Sequence, residues 1–165
     1  MINFKNFELG LESFGKEGPF DHAVIDGFFE DDVADVLADE FLDYNSDEWY
    51  FYGNKIENKK ALNNWNAFPK ATYQAFLTLN SKKITDHLEK LVGKSIFVDH
   101  GLHGGGWHMH GTGGNLNPHL DYSIHPKMGL ERKLNIIVYM SKESQPEHGG
   151  SLGLWENDEA NYAPG

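Results

Sequence analysis

Asn115-Leu-Asn-Pro-His-Leu-Asp-Tyr122 is the stretch on which the reading of this chain turns, through the His119–x–Asp121 pair at its centre. Leu116, Leu120 and Tyr122 flank that pair, and the β-branched and aromatic residues that follow point to extended backbone rather than helix. Side chains two apart on extended backbone leave it on the same face. An imidazole and a carboxylate then stand side by side, facing whatever the sheet encloses. These are two of the three ligands of a two-His-one-carboxylate facial triad, the donor set that leaves open positions on Fe(II).

Around this stretch the histidines crowd. The chain has nine, and five of them, His100, His103, His108, His110 and His119, fall within twenty positions. Trp107-His-Met-His110 alternates as a strand does, which places His108 and His110 on one face. Gly104-Gly-Gly106 before it reads as a flexible joint, and Gly111-Thr-Gly-Gly114 after it as a turn. Downstream, Leu134-Asn-Ile-Ile-Val-Tyr-Met140 is the strongest strand candidate, and Gly149-Gly-Ser-Leu-Gly-Leu-Trp155 is another. Ile96-Phe-Val-Asp99 is a third.

The amino-terminal half has a different texture. Ala23 to Ile25 reads as a short strand ending in the Asp26-Gly27 turn. Glu30, Asp31 and Asp32 then open a helix, where acidic groups complement the positive end of its dipole. Val33, Leu37, Phe41 and Tyr44 recur at helical spacing. From Asn45 to Lys60, aromatics mixed with Asn, Lys and Gly read as a strand or two joined by a loop. Pro69 marks the start of a helix whose buried face is Tyr73, Phe76 and Leu77 and which ends near Asn80. Ser81 caps the next, with an apolar stripe of Ile84, Leu88, Leu91 and Val92 and a stop at Gly93. His22 reads as a solvated loop residue, and His87 as a packed, hydrogen-bonded one. Helices first and short strands afterwards define an α+β domain.

Composition sets the outer limits. The 165 residues form one domain, with helical support over 20–93 and a β core over 95–165. A net charge of -11 disfavours a nucleic-acid groove or an anionic membrane surface, both of which need clustered Lys and Arg. With no cysteine, disulfides and thiolate zinc sites are excluded. No stretch resembles a signal peptide or a bilayer span, so the expected location is the cytoplasm.

Taken as an ordered set, these pieces resemble the iron(II)/2-oxoglutarate dioxygenases of the prolyl 4-hydroxylase type. The matching segments are Pro118-His-Leu-Asp121, then Arg132-Lys-Leu-Asn-Ile-Ile-Val-Tyr-Met140, then Gly149-Gly-Ser-Leu-Gly-Leu-Trp155. Val24-Ile-Asp-Gly-Phe-Phe29 and the acidic helix after it look like that family's helical support. The resemblance implies a double-stranded β-helix, or jelly roll, with Fe(II) held by His119, Asp121 and a second histidine. It also implies 2-oxoglutarate and O2 as co-substrates, with ascorbate as a possible reductant. Succinate and carbon dioxide would be released as a prolyl or other residue, in a peptide, protein or small molecule, is hydroxylated.

By the same resemblance Tyr139 would hydrogen-bond 2-oxoglutarate and Leu152 would line its pocket. Asn135, Ile137 and Tyr139 share one strand face, consistent with that role. Arg132 matches an arginine near the substrate, although its parity is opposite to that of Tyr139, so it reaches the site only from ahead of the strand or across a bulge. The family's tyrosine before His-x-Asp is replaced here by Trp107-His-Met-His110, where His108 or His110 could supply the hydrogen bond to the co-substrate. The second iron histidine and the Arg or Lys that pairs with the far carboxylate lie, in that family, on strands beyond Gly-Gly-x-Leu. Here the chain ends at Asn161-Tyr-Ala-Pro-Gly165, and the expectation is a sequence short of a working enzyme by several strands. His148, in a Glu-His-Gly turn, reads as a loop residue rather than the missing ligand, and His125 as part of a connecting loop. Two alternatives stand beside this reading: a silent jelly-roll binding module, and a zinc protein built on His100, His103, His108 and His110.

Overall fold

The computed structural model describes residues 1–16, 18–142 and 144–154. Four helices and one small antiparallel sheet make up most of the regular structure, in keeping with the α+β expectation. The helices are α1 (Phe4–Leu11), α2 (Asp31–Asp39), α3 (Lys70–Leu79) and α4 (Lys82–Val92). The strands are β1 (Tyr50–Gly53), β2 (Glu57–Leu62), β3 (Trp107–Met109) and β4 (Asn115–Leu116).

The helices pack into one apolar core formed by Phe7 of α1, Leu37 of α2, Ala75 of α3 and Ile84 and Leu88 of α4, with Ile2 and Phe29 between them. Their stripes follow from 3.6-residue spacing. Asp31 and Asp32 occupy the first turn of α2, as its acidic opening requires. Gly93 ends α4 in the left-handed conformation at φ 66°, which a residue without Cβ adopts at little cost. Helix α1 lies ahead of the helical region expected from the sequence, although Phe4, Phe7 and Leu11 carry the i, i+3, i+7 signal. The helical support thus starts at residue 4 rather than residue 20.

Two helical details are corrected. On α3 the buried positions are Thr72 and Ala75, while Tyr73 and Leu77 are exposed and only Phe76 of the expected trio turns inward. Helix α2 ends at Asp39, so Phe41 and Tyr44 lie beyond it; Phe41 instead stacks on Trp107, with centroids 4.4 Å apart.

A second core joins the sheet to the helices. Trp49, Leu62, Phe68, Leu102 and Trp107 are its buried members, and Phe68 stacks on Phe76 of α3 at 4.7 Å. Strand β2 is central: β1 runs along one edge, while β3 and then β4 share the other, all antiparallel. Residues paired across an antiparallel ladder project to the same face. Leu62 opposite Trp107 therefore faces the core, and Ala61 opposite Tyr50 and His108 faces away. Gly106 makes this junction possible: at φ +98°, a Cβ there would stand 2.2 Å from the Leu62 carbonyl oxygen.

Three expected strands, Ala23–Ile25, Ile96–Asp99 and Leu134–Met140, form no ladder among the described residues. The same holds for residues 149–154, and Trp155 lies outside the described residues. Extended backbone becomes a strand only when a neighbour completes its hydrogen bonds. Leu134, Val138 and Met140 nevertheless pack on the helical core, and Lys142 fastens the segment to α2 through Asp39 (2.7 Å) and Asp35 (3.3 Å).

Candidate metal and co-substrate site

Beyond β4 the chain leaves the sheet with Asn117 still tied to it. The Asn117 N–H donates to Ile56 O (2.8 Å) and its side-chain amide to Lys55 O (3.0 Å). The Asn117 carbonyl in turn lies 2.8 Å from His119 Nδ1. A carbonyl only accepts, so Nδ1 carries the proton and the lone pair of the neutral ring is on Nε2. That nitrogen lies 3.6 Å from Asp121 Oδ1. Two donors about 2.1 Å from one metal and at right angles to each other stand about 3 Å apart, so small side-chain movements suffice to bring both to one ion.

The other carboxylate oxygen, Asp121 Oδ2, is held by Arg132 Nη2 at 3.2 Å. Arg132 reaches it because it precedes the extended 134–140 segment. The Arg132 N–H donates to Ser123 O (2.8 Å), and the excursion between them closes at the Ile124–Glu131 bridge. The parity objection to Arg132 is resolved in this way, although its contact is with Asp121. Its guanidinium also lies 4.6 Å from the centroid of the Tyr122 ring. Asp121, Tyr122, Arg132 and Asn135 line an open pocket of about 320 Å3.

The remaining expected site residues are placed less closely. Tyr139 (63 % exposed) and Leu152 (61 % exposed) do not line that pocket. Asn135 does, and Tyr139 has the same parity four residues on, about 13 Å further along extended backbone. His108 projects from the sheet face opposite the Trp107 core, His110 follows two residues later, and Lys59 and Glu57 of β2 share the face of His108. Neighbouring heavy atoms strip water from both imidazoles even where one side stays open, and the Lys59 charge adds to this, so both pKa values lie below 6.5.

The four-histidine zinc cluster does not assemble. His103 packs at an angle against Tyr122 and His125 while His108 lies on the sheet, and among the described residues no three His, Asp or Glu side chains are grouped around one metal position. His148 closes a capping box with Gln145, its Nδ1 accepting the Gln145 N–H at 3.2 Å, which is the loop role expected of it. His87 bridges Lys83 O and Glu8, packed and hydrogen-bonded as expected.

Sequence reasoning missed two pairs. Lys59 is buried and lies 2.9 Å from Glu57; the alternation of β2 holds its only signal, since 57, 59 and 61 share a face. His125 is also buried, with Nε2 3.1 Å from Asp99 Oδ2. Burial would raise the Asp99 pKa, but the His103 N–H, His125 and the Gly101 N–H outweigh it and hold the carboxyl below its usual value. Nothing local in the sequence links positions 99 and 125.

Residues 105–164 match the family model described as the 2OG-Fe(II) oxygenase superfamily. The match takes in β3, β4, the His119–Asp121 pair and Arg132, and it supports a dioxygenase-like function for a chain with mixed helix and antiparallel sheet. No curated protein and no solved structure matches the chain. Among the described residues no helix is long and apolar enough to cross a membrane.

Proposed function

We propose that this chain is an Fe(II)- and 2-oxoglutarate-dependent dioxygenase that hydroxylates an amino-acid residue, with a prolyl residue as the first candidate. The fold proposed for it is the jelly roll, of which the sheet β1–β4 would form part. The substrate is a peptide, protein or small molecule rather than nucleic acid or membrane lipid, in keeping with the net charge of -11.

One observation carries the reading. His119 Nε2 and Asp121 Oδ1 stand 3.6 Å apart, while the other polar atom of each side chain already has a partner. Such outer partners fix the tautomer and orientation of ligands in metal sites. His119 and Asp121 would hold the iron. When bound, iron and 2-oxoglutarate supply the oxidising chemistry, one oxygen atom going to succinate and the other to the substrate C–H bond. The chain's own residues do the positioning. Asn117 keeps the His119 proton on Nδ1, and Arg132 turns Asp121 so that Oδ1 stays free. Neutral His108 and His110, with Tyr139 and Leu152, are proposed to meet the co-substrate, and the pocket beside Arg132 to admit the substrate.

The direct test supplies the full chain with 2-oxoglutarate, oxygen and Fe(II) and measures succinate. Succinate should form with Fe(II), disappear on chelation and fall to background in Asp121→Ala. Unaltered 2-oxoglutarate in the presence of Fe(II), or turnover indifferent to Asp121→Ala, contradicts the proposal.

A further inference from the structure

Among the described residues, His125 is the only buried histidine, and each of its ring nitrogens faces a polar neighbour. Nδ1 accepts the N–H groups of Lys127 (3.1 Å) and Met128 (3.0 Å), so the proton of the neutral ring sits on Nε2, facing Asp99 Oδ2 at 3.1 Å though off the straight hydrogen-bond line. The backbone adds two ties, His125 N–H to Leu130 O (2.8 Å) and Gly129 N–H to His125 O (2.9 Å). His125 thereby closes the excursion that returns Arg132 to Asp121.

The ring has a second contact. It meets Tyr122 edge to face, with centroids 5.8 Å apart and planes at 89°. Tyr122 is held at its far end by its hydroxyl, which donates to His103 O (3.2 Å), and the His103 N–H donates to the same Asp99. On this fixed phenol rests the Arg132 guanidinium, and Arg132 holds Asp121 Oδ2. A continuous set of contacts therefore runs from the Asp99–His125 pair through Tyr122 and Arg132 to the carboxylate.

We infer that His125 is a positioning residue for Asp121: pinned by Asp99, it sets the Tyr122–Arg132 stack that turns the Asp121 carboxylate toward a metal. This rests on the reading of Asp121 as a metal ligand. A histidine that merely secures its own loop would leave Arg132 and the metal unaffected once the loop is kept. His125→Asn separates the two, because its side-chain oxygen still accepts from residues 127 and 128 while the ring and the Asp99 contact are gone. Asp99→Asn attacks the same contact from the other side and serves if His125→Asn fails to fold.

The experiment is NMR on the full chain, first without metal and then titrated with Mn(II), whose paramagnetism broadens resonances around even a weak site. Without metal, the Arg132 side-chain protons should be shifted upfield by the Tyr122 ring in the parent chain and revert toward unstructured values in His125→Asn. With Mn(II), half-broadening around His119 should need about tenfold more metal in His125→Asn. In a double-mutant cycle, His125→Asn should add nothing once Arg132→Met is present. Unmoved Arg132 resonances, or effects of the two substitutions that simply add, overturn the inference. Asp121→Asn separates its failure from that of the metal reading: if Mn(II) binds that variant as it binds the parent, the ligand assignment falls and the inference falls with it.

Discussion

His108 and His110 illustrate how single side chains beside the sheet depend on their surroundings. Leaving water disfavours the charged imidazolium, and the nearby Lys59 ammonium disfavours it further. The unfolded chain, with ordinary values near 6.5, then takes up protons first as the pH falls. Stability contributed by these groups is complete above pH 6.5 and is lost as the pH drops from there through the lower folded-state values. Urea midpoints measured from pH 7.5 to 5 should decline, and the decline should be shallower in the His108→Asn, His110→Asn double variant. Equal slopes for the two proteins would show that neither ring is held neutral by the fold. The same neutrality suits the proposed role, since an uncharged imidazole both donates and accepts hydrogen bonds.

Between elements, a set of three hydrogen bonds ties the residue after α2 to α3. Pro69 stands at the N-cap of α3 and offers no side-chain acceptor to the free N–H groups of the first turn. Glu40, just past the end of α2, provides it: Oε1 accepts from Ala71 N (2.9 Å) and Oε2 from Thr72 N (2.6 Å) and Thr72 Oγ1 (2.8 Å). Burial acts to raise the Glu40 pKa, but these bonds outweigh it and the carboxyl titrates below its usual value. Glu40→Gln should cost about 1–2 kcal/mol at pH 7, measured by denaturant unfolding. The difference should shrink as the pH falls below 4.5 and the carboxylate takes up its proton. A constant difference at pH 7 and pH 3 would argue that packing, not charge, is lost.

This link also shows where sequence stops being informative. The Pro69 start and the Gly93 stop are local chemistry and can be read directly, as can Ile84 and Leu88 of the α4 stripe, whereas Leu91 and Val92 stay outside the core. That α3 takes its cap from residue 40 is a long-range fact with no local signature. For Tyr73 and Leu77, size and hydrophobicity do not report burial: the face of α3 that meets Glu40 and the Leu37 core carries the small Thr72 and Ala75. For Leu134–Met140, β-branched and aromatic composition reports an extended backbone, and the alternation of Leu134, Val138 and Met140 against the core agrees with that. Composition does not report whether a neighbouring strand is there to pair with it.

On the scale of the whole molecule, two apolar cores meet through α3, and the metal-site candidates lie past the sheet core where β4 gives way to loop. That His119 and Asp121 stand close together is legible in the sequence because the two are only two residues apart. Their supports are not: Asn117, Arg132, Tyr122 and the Asp99–His125 pair act through contacts that exist only after folding. The two side chains reach each other without a strand beneath them, so what matters is the direction they take rather than the element that carries them.

The most direct measurement is therefore anaerobic Fe(II) binding to the full chain, followed by titration calorimetry, for the parent and for His119→Ala, Asp121→Ala and His148→Ala. Binding should be lost in the first two variants and retained in the third. Unchanged iron stoichiometry in His119→Ala and Asp121→Ala would contradict the assignment of that pair as metal ligands.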